Sequence, residues 1–174
     1  MKEIILGGGC FWCIEAVMRR VKGVKEALSG YAGGERENPS YKQVCSGATG
    51  HAEVVKILYD ENEITLDELL DVFFAIHNPT TLNRQGADVG TQYRSIIFYE
   101  SEEEKRVIKE AIKRAQAEYK DPIVTEVSPK QKFYKAEEYH QNYYDYNPMQ
   151  GYCQAVIKPK VQKFLIKFTD KIKK

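Results

Sequence analysis

Net charge is nearly absent from this chain. Its 26 Lys+Arg stand against 25 Asp+Glu in 174 residues, leaving +1. So balanced a polymer has no general attraction for nucleic acid or acidic membranes, and neither is an expected partner. Long apolar runs are missing as well, which excludes a hydrophobic bilayer-spanning helix. The opening Met1-Lys2-Glu3-Ile4-Ile5-Leu6-Gly7 lacks the apolar stretch of a secretory signal, so a cytoplasmic location is expected. With six Pro, twelve Gly and four Cys, collagen-like, disordered and small disulfide-scaffold architectures are excluded. No repeat, low-complexity tract or linker divides the sequence, and residues 1–174 read as one domain large enough to bury its own core.

What the chain does have is periodicity. Lys2 to Leu6 reads as a strand stopping at three glycines. Ile14, Val17, Met18 and Val21 then fall on one helical face, with Arg19 and Arg20 in the last turn and Gly23 to close it. Val24 to Tyr31 reads as a strand interrupted by Gly30, and residues 32–50 as a long polar loop of the kind that is usually functional. Glu53 to Tyr59 is a strand, and the capping box Thr65-Leu66-Asp67-Glu68 opens a helix that runs to Ile76. Residues 83–91 form another polar loop before a strand from Tyr93 to Tyr99. A second capping box, Ser101 to Glu104, opens a helix carrying Val107, Ile108, Ala111, Ile112 and Ala115, and Ile123 to Val127 is a strand. An aromatic loop and a basic amphipathic helix over residues 160–174 complete the chain. The order β-α-β-β-α-β-α-β predicts an α+β two-layer sandwich, ferredoxin-like, with helices on one face of a mixed sheet and long functional loops.

Chemistry concentrates at Gly7-Gly8-Gly9-Cys10-Phe11-Trp12-Cys13, where a strand hands over to a helix. A thiol at a helix start faces unpaired N–H groups and the positive end of the dipole, both of which favour thiolate. An unperturbed Cys is only ~3% thiolate at neutral pH, so this placement gains more than tenfold in nucleophile. A tight turn around a buried Cys is the plain alternative for a single thiol, but three Gly, two bulky aromatics and a second Cys at one turn favour a functional use. Trp12 stands where a dinucleotide fingerprint needs a small residue, and Cys45, His51 and Cys153 do not make a second close pair for zinc, so no metal is expected. A thioredoxin-like disulfide oxidoreductase using Cys10-Phe11-Trp12-Cys13 is the main competitor. Phe11 and Trp12, read as an exposed apolar platform, speak against it, and a non-catalytic module binding Met-containing peptides on that platform is a third reading.

The sequence resembles the A-type peptide-methionine sulfoxide reductases. The resemblance lies in Gly9-Cys10-Phe11-Trp12, Gly30-Tyr31-Ala32-Gly33-Gly34, Tyr41 to Gly47, Thr49-Gly50-His51-Ala52-Glu53, Arg84 to Ser95 and Glu138-Tyr139-His140-Gln141, in register across most of the chain. It implies a cofactor-free enzyme that reduces the S epimer of methionine sulfoxide, protein-bound and free, with thioredoxin as external reductant. A monomer is expected. Cys10 would attack the sulfoxide sulfur and take its oxygen as a sulfenic acid, which a second thiol condenses with to a disulfide.

Glu53 matches the family's acid; to donate a proton it must be held near pKa 7, which takes roughly 4 kcal/mol against the ionised form and would come from partial burial beside Trp12. Tyr41 and Tyr93 match two hydroxyls that hydrogen-bond the sulfoxide oxygen. Phe11 and Trp12 would enclose the S-methyl, worth about 0.8 kcal/mol, and Asp88 would order the substrate's polar backbone. His51 and His140 are read as structural. Cys153, in a C-terminal loop over about residues 129–158, resembles the family's mobile resolving cysteine. Cys13 stands where many relatives carry Gly, and either resolves locally or relays the disulfide; Cys153 ranks slightly ahead because a two-residue spacing at a helix start strains a disulfide. Cys45 is read as buried and inert.

Overall fold

In the computed structural model, residues 1–173 are described, and the last residue of the expected C-terminal helix lies outside them. Strand β1 (Lys2–Gly7) leads through helix α1 (Phe11–Met18) to β2 (Val24–Ala32), and a short helix α2 (Tyr41–Cys45) precedes β3 (Ala52–Tyr59). Helix α3 (Leu66–Ile76), a small hairpin of β4 (Arg84–Gln85) and β5 (Asp88–Val89), and a 3-10 turn at Thr91–Tyr93 lead to β6 (Ile96–Tyr99). Helix α4 (Glu102–Gln116), β7 (Glu126–Pro129), β8 (Tyr134–Lys135), α5 (Tyr143–Tyr146) and α6 (Lys158–Lys167) follow.

Six strands form one sheet in the order β7-β6-β1-β3-β2-β8. The inner four pair antiparallel, and β7 alone runs parallel to its neighbour β6, so the sheet is mixed. Strand alternation sends Ile4, Leu6, Val55, Ile57 and Ile97 to the face covered by α1, α3, α4 and α6, where Ile14, Val17, Phe73, Ile108 and Phe164 complete the main core. The opposite face holds only a small cluster of Ile5, Ala32, Ala52, Val54, Ile96 and Phe98, with Phe133 laid against it. The two-layer sandwich with helices on one face is therefore the observed architecture. No helix among the described residues is long and apolar enough to cross a membrane.

Several boundaries differ from the sequence expectation, each for a local reason. The loop after β2 contains α2, because Ser40 accepts from the Gln43 amide while the Gln43 side chain accepts from the Ser40 amide. Helix α1 ends at Met18, so Arg19 is its C-cap and neither arginine lies in the last turn. Gly30 does not interrupt β2: a Cβ there would strike Phe133 and the Tyr134 carbonyl, so the missing side chain lets β8 close on the strand. Residues 91–93 turn before β6 starts at Ile96, and β7 begins at Glu126 rather than Ile123, where its register with Ile96 starts. At α4 the second capping box is half formed: Ser101 accepts from Glu104, but the Glu104 carboxylate accepts from the Glu100 amide.

Candidate active site

The turn from β1 into α1 is built by glycine where nothing else fits. Gly9 sits at φ 87 and donates its amide to the Tyr93 carbonyl at 3.2 Å, and a Cβ on Gly8 would run into the His77 ring. Cys10 follows as N-cap of α1 in extended conformation, with no side-chain cap of its own. One of the helix's free amides is taken instead from across the sheet: Phe11 N–H donates to Glu53 Oε1 at 3.1 Å. Glu53 is the second residue of β3, opposite Tyr31, on the face that α1 covers.

Glu53 is 1% exposed and its Oε2 has no partner. Burial pushes its carboxyl up to about 8, the Phe11 amide opposes this, and the charges of Asp88 and Cys13 add to it. At pH 7 burial therefore favours the neutral carboxyl. The desolvation comes from its place beneath the first turn of α1.

The thiols behave differently from the helix-start argument. Cys10 is 8% exposed and its pKa is raised well above the usual thiol value, first by burial, then by its bond to Cys13 and the nearby Glu53; only the Trp12 amide lowers it. Cys13 is lowered to about 7, chiefly by a hydrogen bond from Cys10, with Lys160 and Tyr152 helping against burial. Desolvation at the N-cap thus outweighs the dipole at Cys10, and Cys13 is the more readily ionised of the two thiols.

The exposed aromatic platform expected from the sequence is absent. Phe11 is 1% exposed, with ring centroids of Tyr31, Tyr41 and His140 at 5.7, 6.3 and 5.1 Å. Trp12 is stacked on Tyr143 at 3.7 Å and 6°, meets Tyr152 edge-on at 5.9 Å, and donates its indole N–H to His140 Nδ1 at 3.0 Å. Two bare aromatic faces in water are unfavourable, and the C-terminal segment covers them; each such pair adds about 0.5–1.5 kcal/mol beyond the area it buries.

That segment closes the site at two further points. Tyr152 donates its hydroxyl to Asp88 Oδ2 at 2.7 Å and lies 3.9 Å from Cys13 Sγ. Cys153, expected in a mobile loop, is fully buried and begins a π-helical turn, Cys153–Ile157, its amide held by Gln150 Oε1 at 3.1 Å. The chain before it is anchored by Glu15, 1% exposed on α1, which accepts the Asn142 amide at 2.6 Å and the Ser29 hydroxyl at 3.2 Å. Burial raises Glu15 to about 7.

Tyr41 and Tyr93 both lie within electrostatic reach of Glu53, whose charge with burial raises their hydroxyls. Cys45 lies near enough to Tyr41 to help raise its hydroxyl, and the Tyr41 amide donates to Glu137 Oε2 at 3.0 Å. Cys45 is therefore partly exposed beside Tyr41 rather than sealed in the core. His51 accepts from Gly34 N–H at 3.0 Å and contacts the Arg36 carbonyl at 2.6 Å, pinning the loop after β2. The structure thus gathers Cys10, Cys13, Glu53, Trp12, Asp88, Tyr41 and Tyr93 around one turn. Sequence reasoning missed Tyr143, Tyr152, Glu137 and Glu15. The crowding of tyrosines over residues 139–146 was the one visible signal.

The peptide methionine sulfoxide reductase family model matches residues 2–172. The chain belongs to that family. Peptide methionine sulfoxide reductase MsrA of Paenarthrobacter aurescens is 59% identical over 163 residues, 94% of each chain. Among solved structures, reduced Mxr1 of Saccharomyces cerevisiae superposes with a TM-score of 0.81 at 42% identity, covering 87% of this chain and 88% of that one. Mxr1 in complex with Trx2 matches with a TM-score of 0.58 at 31% identity, covering 82% and 84%. The family's reaction is the thiol-dependent reduction of methionine sulfoxide, and this chain is an oxidoreductase of that kind. The dithiol-oxidoreductase alternative is not favoured, nor is a peptide-binding module.

Proposed function

We propose that residues 1–174 act as a single catalytic domain in which Cys10 reduces the S epimer of methionine sulfoxide, free or within proteins. The observation that carries this reading is the neutral, buried Glu53 carboxyl with an unpartnered Oε2 beside the N-cap thiol. A carboxylic acid so placed serves as the proton donor to the sulfoxide oxygen as the Cys10 sulfur attacks. Tyr41 and Tyr93 hold that oxygen, Phe11 and Trp12 border the methyl, and Asp88 binds the substrate backbone once Tyr152 releases it. Oxygen passes from the substrate sulfur to Cys10, leaving methionine and a Cys10 sulfenic acid. A second thiol, Cys13 or Cys153, then displaces hydroxide, which departs as water, and forms a disulfide.

The external reductant is thioredoxin, a reading supported by the complex of the yeast relative with Trx2. No bound cofactor enters the scheme. A working monomer is part of this reading, and four free thiols suit a reducing compartment such as the cytoplasm. The test is incubation of the reduced protein with each sulfoxide epimer and dithiothreitol. Release of methionine from the S epimer alone, abolished by Cys10→Ser, is expected. Turnover of insulin disulfides with no sulfoxide reduction would overturn the proposal.

A further inference from the structure

Three thiols surround the first turn of α1, and they are not equivalent. Cys10 and Cys13 are N-cap and third residue of one helix, and the Cys13 amide donates to the Cys10 carbonyl at 3.1 Å. Cys153 is fully buried in a π-helical turn, its charged form disfavoured by burial and by Cys13. Between them stands Tyr152, bonded to Asp88 and 3.9 Å from Cys13. Cys13 stands three residues from Cys10 in the same helical turn, whereas Cys153 belongs to a separate buried turn held through Gln150 and, at Tyr152, through Asp88.

We propose that Cys13 is the first thiol to capture the Cys10 sulfenic acid, and that the resulting disulfide is then handed to Cys153. This rests on the sulfoxide-reduction reading above and reverses the ranking suggested by chain spacing. In the first step the Cys13 thiolate attacks Cys10 Sγ, the S–O bond breaks as the S–S bond forms, and the departing hydroxide takes a proton and leaves as water. In the second step Cys153, as thiolate, attacks Cys10 Sγ and expels Cys13. Attack at Cys10 makes Cys13 the departing group, and its thiolate leaves toward the positive charge of Lys160. No oxidant beyond the sulfoxide is needed, and the Cys10–Cys153 disulfide so formed is the one presented to the external dithiol. The benefit is speed: a sulfenic acid left waiting for a segment to unwind is open to further oxidation, which is irreversible.

The test is a rapid acid quench of the wild-type enzyme after one equivalent of methionine S-sulfoxide, with methionine counted and disulfides mapped by mass in the same samples. The expected order is Cys10–Cys13 first and Cys10–Cys153 later. Cys153→Ala should stop at Cys10–Cys13 with no dimedone-reactive sulfur, whereas Cys13→Ser should hold a dimedone-reactive Cys10 at least tenfold longer than wild type. A first disulfide between Cys10 and Cys153, or Cys13→Ser closing that bond at the wild-type rate, would overturn the relay while methionine release left the sulfoxide reading intact. Absence of methionine release from the wild type would remove both.

Discussion

Replacing Glu53 by Gln separates the chemistry of this residue from its cost to the fold. The carboxyl titrates at 4.5 in the unfolded chain and at about 8 in the folded one. Between those values the native state holds one proton more than the unfolded state, so stability falls as pH rises, by 1.36 kcal/mol per pH unit. The contribution is fully present below 4.5 and is lost by about 8. From 4.5 to 7 the loss is about 3 kcal/mol. Gln has the same shape, its oxygen still accepts from the Phe11 amide, and it has no charge to desolvate. Glu53→Gln should therefore match wild type near pH 4.5 and exceed it by about 3 kcal/mol at pH 7. Urea unfolding at pH 4.5, 6, 7 and 8 reads this directly, and Glu15, which also titrates high, cancels in the difference. Activity moves the other way: Gln, still a hydrogen-bond donor, keeps most of kcat/KM, while Glu53→Leu loses roughly 100-fold or more. Parallel stability curves for wild type and Glu53→Gln would refute the raised carboxyl, and equal activity losses in Gln and Leu would refute its use as an acid.

Further consequences follow from the segment that covers Trp12. The chain has one Trp, so tryptophan fluorescence reports the surroundings of Trp12, of which the Tyr143 stack is the closest; Tyr143→Ala should red-shift the emission and cost about 1 kcal/mol from the lost aromatic pair in addition to the buried area. Tyr152→Phe removes a charged hydrogen bond of about 1.5–3 kcal/mol to Asp88, and should loosen the segment over Cys13 and speed its labelling by iodoacetamide. Glu15→Ala removes the acceptor of the Asn142 amide and should make residues 142–152 the first site of limited proteolysis, with no such nick in wild type. An unchanged cleavage pattern would mean that Glu15 does not anchor the segment.

Much of the architecture was legible in local pattern. The spacing of Ile14, Val17 and Met18, the capping box at Thr65 and the run from Glu53 to Tyr59 each specify one element, because periodicity and capping act between residues close in sequence. Their order was enough for the sandwich with helices on one face. The strand at Glu126 was misplaced for the opposite reason: its start depends on pairing with Ile96, thirty residues away.

The site divides along the same line. Its residue types, a thiol after three glycines, a carboxyl beginning a strand and tyrosines in polar loops, were present in the sequence with their chemistry attached. Which thiol carries the charge, how strongly Glu53 is protonated, and that Tyr143 and Tyr152 cover Trp12 were decided only by tertiary packing. Desolvation and hydrogen bonding depend on what surrounds an atom in space, and beside Cys10 the Glu53 carboxyl comes from a strand more than forty residues distant, where no local rule reaches.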